Sequence, residues 1–159
     1  MYQHILVTLD SRGYSEQILS QLLPFVGQAE GTIRFLSVYP VMRALVSQEA
    51  VVSGHQLEEQ ASAEALQYLN GVAARFHIHG IATQTDVRFG NPVEVVLHTA
   101  QVMAADLIVM PVPWFRGDGH PMAAETTTQI IHRSTVPVMV IQLPVRQRGR
   151  GKASWFWQR

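Results

Sequence analysis

Short apolar runs of strand length alternate along this chain with longer segments whose apolar residues recur at helical spacing. The run Ile5–Leu9 is almost continuously apolar and ends at Asp10, which is typical of a strand buried on both faces of a parallel sheet. In the next segment, 18–26, apolar residues stand three and four positions apart, which indicates a helix. Further strands are predicted at 32–38, 81–89, 106–110 and 136–143, and further helices at 66–76, 92–103 and 126–134.

This alternation favours one architecture. Strands joined by helices of this length form right-handed parallel βαβ units, with helices on both faces of a single sheet. The 159 residues suit one domain, and the apolar content of 47% is sufficient for a packed core. We therefore predict a single-domain, Rossmann-like α/β fold with a five-stranded parallel sheet over residues 1–143, followed by a basic and aromatic tail over 144–159.

The clearest helix start in the sequence is the segment Gly90–Glu94. Asn91 is a good N-cap residue, Pro92 suits the first helical position, and Glu94 can reach back as in a capping box. We therefore expect a helix to begin directly after Asn91.

Cysteine is absent from the sequence, so disulfides and thiolate metal sites are excluded. The first residues lack the basic region and long apolar stretch of a signal peptide, and no apolar run approaches the ~18 residues of a membrane helix. We expect a cytoplasmic protein without a membrane span.

The net charge is formally zero, but the charges are unevenly distributed. Five of the twelve Lys and Arg residues lie after Pro144, where no Asp or Glu occurs, so the preceding domain is acidic. The tail also contains Trp155, Phe156 and Trp157, and it is either a disordered extension or a segment that docks on a protein partner or on its own dimer. Nucleic-acid binding is not expected, because a short basic tail on an acidic body gives only weak, salt-sensitive affinity.

Four segments in this order resemble the universal stress protein family. They are the opening strand Ile5–Ser11, the turn Phe89–Pro92, the strand Ala105–Met110 and the closing segment Ser134–Ile141. The resemblance covers residues 2–143 and implies the strand order 3-2-1-4-5. It also implies a homodimer in which the last strands, here 136–143, meet across a two-fold axis.

Some members of that family bind ATP through a glycine motif after the fourth strand, and every position of the motif is substituted here. Aligned without a gap, it falls on Pro111, Trp114, Ala124 and Glu125. Such loops hold phosphates with backbone N–H groups, which Pro111 and Pro113 lack, and the Glu125 carboxylate repels an anion. We therefore expect no ATP binding of the usual kind.

Part of the family's nucleotide site is retained. The resemblance places Asp10 and Val38 beside the adenosine, at the ends of the first and second strands. Thr126 and Thr127, at the predicted start of a helix, offer hydroxyls for a weak anion site. Each residue also has a structural explanation: Asp10 and Thr126 as helix caps, and Val38 as part of the core.

No set of residues in the sequence indicates catalysis. His77 and His79 lack a third metal ligand, and the segment Phe115–Pro121, with Asp118 and His120, is typical of a polar surface loop. Neither a G-x-S-x-G turn nor a Walker-type loop occurs. We expect a non-enzymatic stress-response or regulatory homodimer that acts through protein contacts and has no cofactor. The alternative is an adenine-nucleotide sensor that binds AMP or ATP weakly through a non-standard phosphate site.

Overall fold

The predicted apolar runs form five strands of one sheet, in which every neighbouring pair is parallel. The computed structural model describes residues 2–9, 15–26, 31–40, 48–113 and 121–143. Within them the strands are β1 (His4–Thr8), β2 (Thr32–Tyr39), β3 (Ala82–Phe89), β4 (Leu107–Pro113) and β5 (Val138–Leu143). Their order is β3-β2-β1-β4-β5, which confirms the predicted order and fold class.

A helix follows each of the first four strands and returns the chain to the amino edge of the sheet. The start of the third helix is confirmed, because Asn91 Oδ1 accepts hydrogen bonds from the backbone N–H groups of Val93 and Glu94 at 2.9 and 3.3 Å. The helices are α1 (Ser15–Leu22, continued by a 3-10 turn over Leu23–Phe25), α2 (Gln48–His77), α3 (Pro92–Val102) and α4 (Pro121–Arg133).

The core lies in two layers, one on each face of the sheet. The side chains of β1 alternate between the two layers, since Ile5 and Val7 face the first layer and Leu6 faces the second. Side chains from α1 and α2 fill the first layer, where the rings of Phe35 and Phe76 pack with centroids 5.2 Å apart. Side chains from α3 and α4 fill the second layer. The predicted strand that is buried on both faces is therefore confirmed.

Helices α2 and α3 end in the same hydrogen-bonded motif at the amino edge. After α2, Ile81 N donates to Phe76 O and Gly80 N donates to His77 O, with Gly80 at φ 74°. After α3, the N–H groups of residues 105 and 104 donate to the carbonyls of residues 100 and 101, with Ala104 at φ 50°. Both are Schellman motifs, and the second places alanine where glycine is usual.

Four predicted boundaries are wrong. Helix α2 begins at Gln48 rather than at Leu66. Strand β4 continues past Met110 to Pro113, and α4 begins at Pro121 rather than at Thr126. Strand β5 begins at Val138 rather than at Val136. The turn before β5 explains the last difference, because both the N–H and the carbonyl of Val136 are hydrogen-bonded to the Ser134 hydroxyl, at 3.2 and 2.7 Å, rather than to β4.

Candidate functional site at the carboxyl edge of the sheet

The chain reverses its direction of winding between β1, the central strand of the sheet, and β4 beside it. In open α/β sheets ligands bind beyond the carboxyl ends of the strands at such a switch point. Strands β1 and β4 pair over only three residues, Ile5–Val7 with Leu107–Val109. Strand β4 then runs on to Pro113 while it pairs only with β5. Within the described chain, β1 and β4 are therefore unpaired at the carboxyl edge, and we place the candidate crevice between them there.

The two prolines of β4 explain where this crevice begins. Ile108 N donates to Pro137 O at 3.0 Å, so the even-numbered amides of β4 face β5. Successive residues of a strand direct their N–H groups to opposite sides, so positions 111 and 113 face β1. Proline has no N–H, and the β1 ladder accordingly ends at Val109, whereas the β5 ladder continues. The crevice wall formed by β4 thus offers no amide donor at Pro111 or Pro113.

At the opposite edge the same two strands are tied together. The Asp106 carboxylate accepts hydrogen bonds from the backbone N–H groups of Gln3 and His4, at 2.7 and 3.0 Å. Asp106 N also donates to His4 O at 2.9 Å. Strands β1 and β4 are therefore clamped together at the amino edge, and their described residues are unpaired at the carboxyl edge. Sequence reasoning placed Asp106 only as the start of a strand and missed this role.

Of the two residues expected beside an adenosine, one lies within the described chain. Val38 stands near the carboxyl end of β2, where it is half-buried and packs on the second core layer. This placement agrees with its structural explanation as a core residue, and contact with a base stays a prediction. Asp10 lies outside the described residues. Leu9, just before it, donates its N–H to Leu36 O at 2.8 Å, which extends the pairing of β1 with β2 toward this edge.

The threonines expected at a helix N-terminus lie farther along the helix. Because α4 begins at Pro121, Thr126 and Thr127 follow its first turn, and their N–H groups are within reach of carbonyls four residues earlier. Thr127 is buried with 8% exposure, and Thr126 is half-buried. The predicted helix start at Thr126, and with it the role of Thr126 as a helix cap, is therefore wrong. The weak anion site offered by the two hydroxyls stays a prediction. Glu125 is also beyond the first turn, where its carboxylate accepts a bond from Gln129 Nε2 at 3.3 Å.

The remaining candidate site residues lie either near the amino edge of the sheet or outside the described residues. His77 bonds through Nε2 to the Thr83 hydroxyl near the amino edge, far from the crevice. Across the described ranges, no three His, Asp or Glu side chains are grouped so that they could hold a metal ion. Trp114, Asp118 and His120 lie outside the described residues, as does the tail after Leu143.

Comparisons with known proteins agree with this geometry. The model of the universal stress protein family matches residues 1–142. The chain belongs to the universal stress protein family. Its relatives include universal stress protein Sll1388 of Synechocystis, which is 26% identical over 154 residues that cover 89% of this chain and 98% of the relative.

Solved structures of universal stress proteins share the fold. The hypothetical protein MJ0577 superposes with a TM-score of 0.74 at 19% identity, over 90% of this chain and 97% of the other. Two more distant neighbours at 16% identity are a universal stress protein in complex with cAMP (TM-score 0.63) and one from Arabidopsis thaliana with AMP bound (TM-score 0.57). These cover 88% of this chain and 97% and 91% of their own. At these identities the likeness establishes the fold alone.

Proposed function

We propose that this universal stress protein is a non-enzymatic stress-response or regulatory homodimer that acts in the cytoplasm through protein contacts and does not bind ATP in the usual way. The observation that carries the proposal is that Pro111 and Pro113 lie on the side of β4 that faces β1, at the switch point. Neither proline has a backbone N–H to donate there. Phosphate binding in such crevices depends on backbone amides, so a triphosphate gains little there. Among the described helices, none is long and apolar enough to cross a membrane.

Calorimetric titration of the full-length protein with magnesium ATP tests the proposal. We expect no heat of binding at micromolar nucleotide, because donors to the phosphates are missing at positions 111 and 113. A variant with glycine at both positions restores the donors and is expected to gain measurable affinity. Micromolar binding of ATP by the wild-type protein would contradict the proposal.

A second candidate is an adenine-nucleotide sensor that binds AMP or cAMP weakly through its adenosine end. The unpaired carboxyl ends of β1 and β4 support it, as do the neighbours that hold AMP and cAMP. A monophosphate needs fewer hydrogen-bond donors in the phosphate region than ATP does. Amide shifts in an NMR titration with AMP distinguish the two functions: shifts at Leu9, Val38 and Met110 support the sensor, and their absence supports the ATP-independent dimer.

The proposed dimer contact is strand β5, the terminal strand of the described sheet. Its sequence VMVIQL carries no charge, which leaves an edge open to pairing with another chain. Val140 is 39% exposed, whereas Ile141 is 4% exposed and packs in the first core layer. Lysine at Val140 therefore tests assembly, and lysine at Ile141 would test folding instead.

We expect Val140→Lys to convert the dimer to a monomer in sedimentation velocity. Ala82→Lys is the matched control, because it adds the same charge at an exposed position of β3, the other edge strand. It is expected to leave the dimer intact. A wild-type protein that sediments as a monomer at high concentration would refute the contact.

The tail over residues 144–159 stays a proposed docking segment for a protein partner or for the acidic domain of its own dimer. It lies outside the described residues, and the proposal rests on its five basic side chains and its aromatic cluster Trp155–Trp157. Attraction of this kind is screened by salt, so an association that survives high salt must come from the aromatic side chains.

A further inference from the structure

A half-open cavity of about 550 Å³ lies beside α3, between that helix and the segments that enter β4 and β5. The cavity runs along α3 from Glu94, in the first turn of the helix, to Ala104 after its end. None of its lining residues belongs to β1 or β4, so it is distinct from the crevice between those strands. Its volume is in the range of small-molecule sites. Its floor is apolar and is formed by Leu97, Ala100, Ala105 and Val136. Its rim is polar and is formed by Glu94, His98, Gln101, Arg133 and Thr135.

The floor is apolar because alanine, leucine and valine form it, and the two small alanine side chains leave room above the core. Ala100 and Ala105 are each 6% exposed, and they belong to the second core layer. Leu97 and Val136 are half-buried and pack against the same layer. An apolar group placed on this floor would remove hydrocarbon surface from water, which is favourable.

The charged part of the rim is one ion pair. Arg133 Nη1 donates to Glu94 Oε1 at 2.7 Å, and the two side chains are 48% and 61% exposed. The hydrogen bond and the charge of Arg133 lower the pKa of Glu94. An exposed pair of this kind contributes little to stability, so its carboxylate can be exchanged for another at small cost.

The end of α3 does not oppose an anion strongly. Its last carbonyls, of residues 99, 100 and 101, already accept N–H groups from residues 103, 105 and 104. Arg133 itself lies in the last turn of α4 and offsets the negative end of that helix. The guanidinium therefore remains the dominant charge for an incoming ligand once Glu94 is displaced.

We propose that this cavity is a binding site for a small amphipathic carboxylate, whose carboxylate replaces that of Glu94 on Arg133 while its apolar body covers the alanine floor. The 2.7 Å contact with Glu94 demonstrates that a carboxylate fits the guanidinium at this position. Bidentate pairing with a carboxylate is a preferred geometry of arginine. A phosphate dianion suits the site less well, because one arginine beside an acidic residue cannot neutralise it and the floor is apolar.

The experiment is an NMR titration of the full-length protein with octanoate below its micelle concentration. Amide shifts are expected around the cavity, at Ala100, Gln101, Ala104 and Thr135. The neutral analogue 1-octanol and inorganic phosphate serve as paired probes of the two halves of the ligand. Each is expected to bind at least tenfold more weakly than octanoate, since each lacks either the charge or the apolar body.

Substitutions at the ion pair give the sharpest readout. Glu94→Gln removes the competing carboxylate and is expected to tighten octanoate binding about two- to fivefold. Arg133→Gln is expected to weaken it about tenfold or more. Arg88→Gln is the matched control, because Arg88 also pairs with a carboxylate, that of Asp86 at 2.9 Å, away from the cavity, and it should leave binding unchanged. Equal binding of 1-octanol and octanoate, or no tightening in Glu94→Gln, would overturn the proposal.

Discussion

The twin motifs that end α2 and α3 make opposite predictions for exchange of alanine and glycine. At the C′ position the backbone is left-handed, with φ 74° at Gly80 and 50° at Ala104. The hydrogen bonds are equivalent, and the residue pairs that flank each motif, Phe76 with Ile81 and Ala100 with Ala105, are buried. Ala104→Gly should therefore stabilise the protein, and Gly80→Ala should destabilise it.

The magnitude follows from two opposing terms. Left-handed backbone costs a non-glycine residue about 1–2 kcal/mol, and glycine avoids this cost. Glycine also gives the unfolded chain more conformational entropy to lose, which offsets about 0.4–1 kcal/mol. A β-carbon at position 80 would meet nothing within 4 Å, and Ala104 is exposed, so packing adds little at either site. The expected change in unfolding free energy is about 0.5–1 kcal/mol, positive for Ala104→Gly and negative for Gly80→Ala.

Urea unfolding followed by circular dichroism measures both changes, and thermal melting should show shifts of about 1–4 °C. Gly71→Ala is the control, because Gly71 lies exposed within α2 and a β-carbon there also meets nothing within 4 Å. In a right-handed helix the same change should stabilise by roughly 0.5–1 kcal/mol. If Gly80→Ala and Gly71→Ala shift stability in the same direction, the reasoning from the left-handed backbone is refuted.

Two further predictions concern polar contacts. Asp106→Ala should lower the free energy of unfolding by about 1–3 kcal/mol, because it removes both acceptors for the amides of residues 3 and 4. Asp86→Ala is the control, because it removes only an ion pair at the surface, and it should cost less than about 1 kcal/mol in the same urea assay. Equal losses would contradict the clamp between β1 and β4. Arg133 holds the pKa of Glu94 below its ordinary value of 4.5, so the stabilisation from this pair is present above pH 4.5 and is lost as the pH falls through the lowered pKa. The difference in stability between wild type and Glu94→Gln should therefore shrink on acidification, and a difference that stays constant below pH 4.5 would count against the pair.

The sequence predicted those features that depend on neighbours along the chain. Alternation of apolar runs with helical stripes predicted the βαβ architecture, because each periodicity is set by local backbone geometry. The helix start at Asn91 was predictable for the same reason, since its cap contacts lie two and three residues ahead. The strand order came from the resemblance of four short segments to a family.

The ends of strands depend on pairing with strands that are distant in the sequence, and they were harder to predict from the sequence. The predicted fourth strand ended at Met110, just before two prolines at positions 111 and 113, each of which lacks a ladder donor. Their alternate spacing was the available signal, as both missing donors fall on one side of the strand. Only pairing with β5 on the other side decides that the strand continues to Pro113.

By itself, therefore, the sequence determined the parallel α/β class, the buried central strand and the cap of α3. The tertiary structure alone decided that β1 and β4 separate after Val109, that Asp106 clamps their amino ends, and that Glu94 meets Arg133 across 39 residues of chain. The physical reason is that hydrophobic periodicity is repeated over many neighbouring residues, whereas a single hydrogen bond between distant segments leaves no pattern along the chain. Such bonds exist only once strand register and helix packing have placed their partners within about 3 Å.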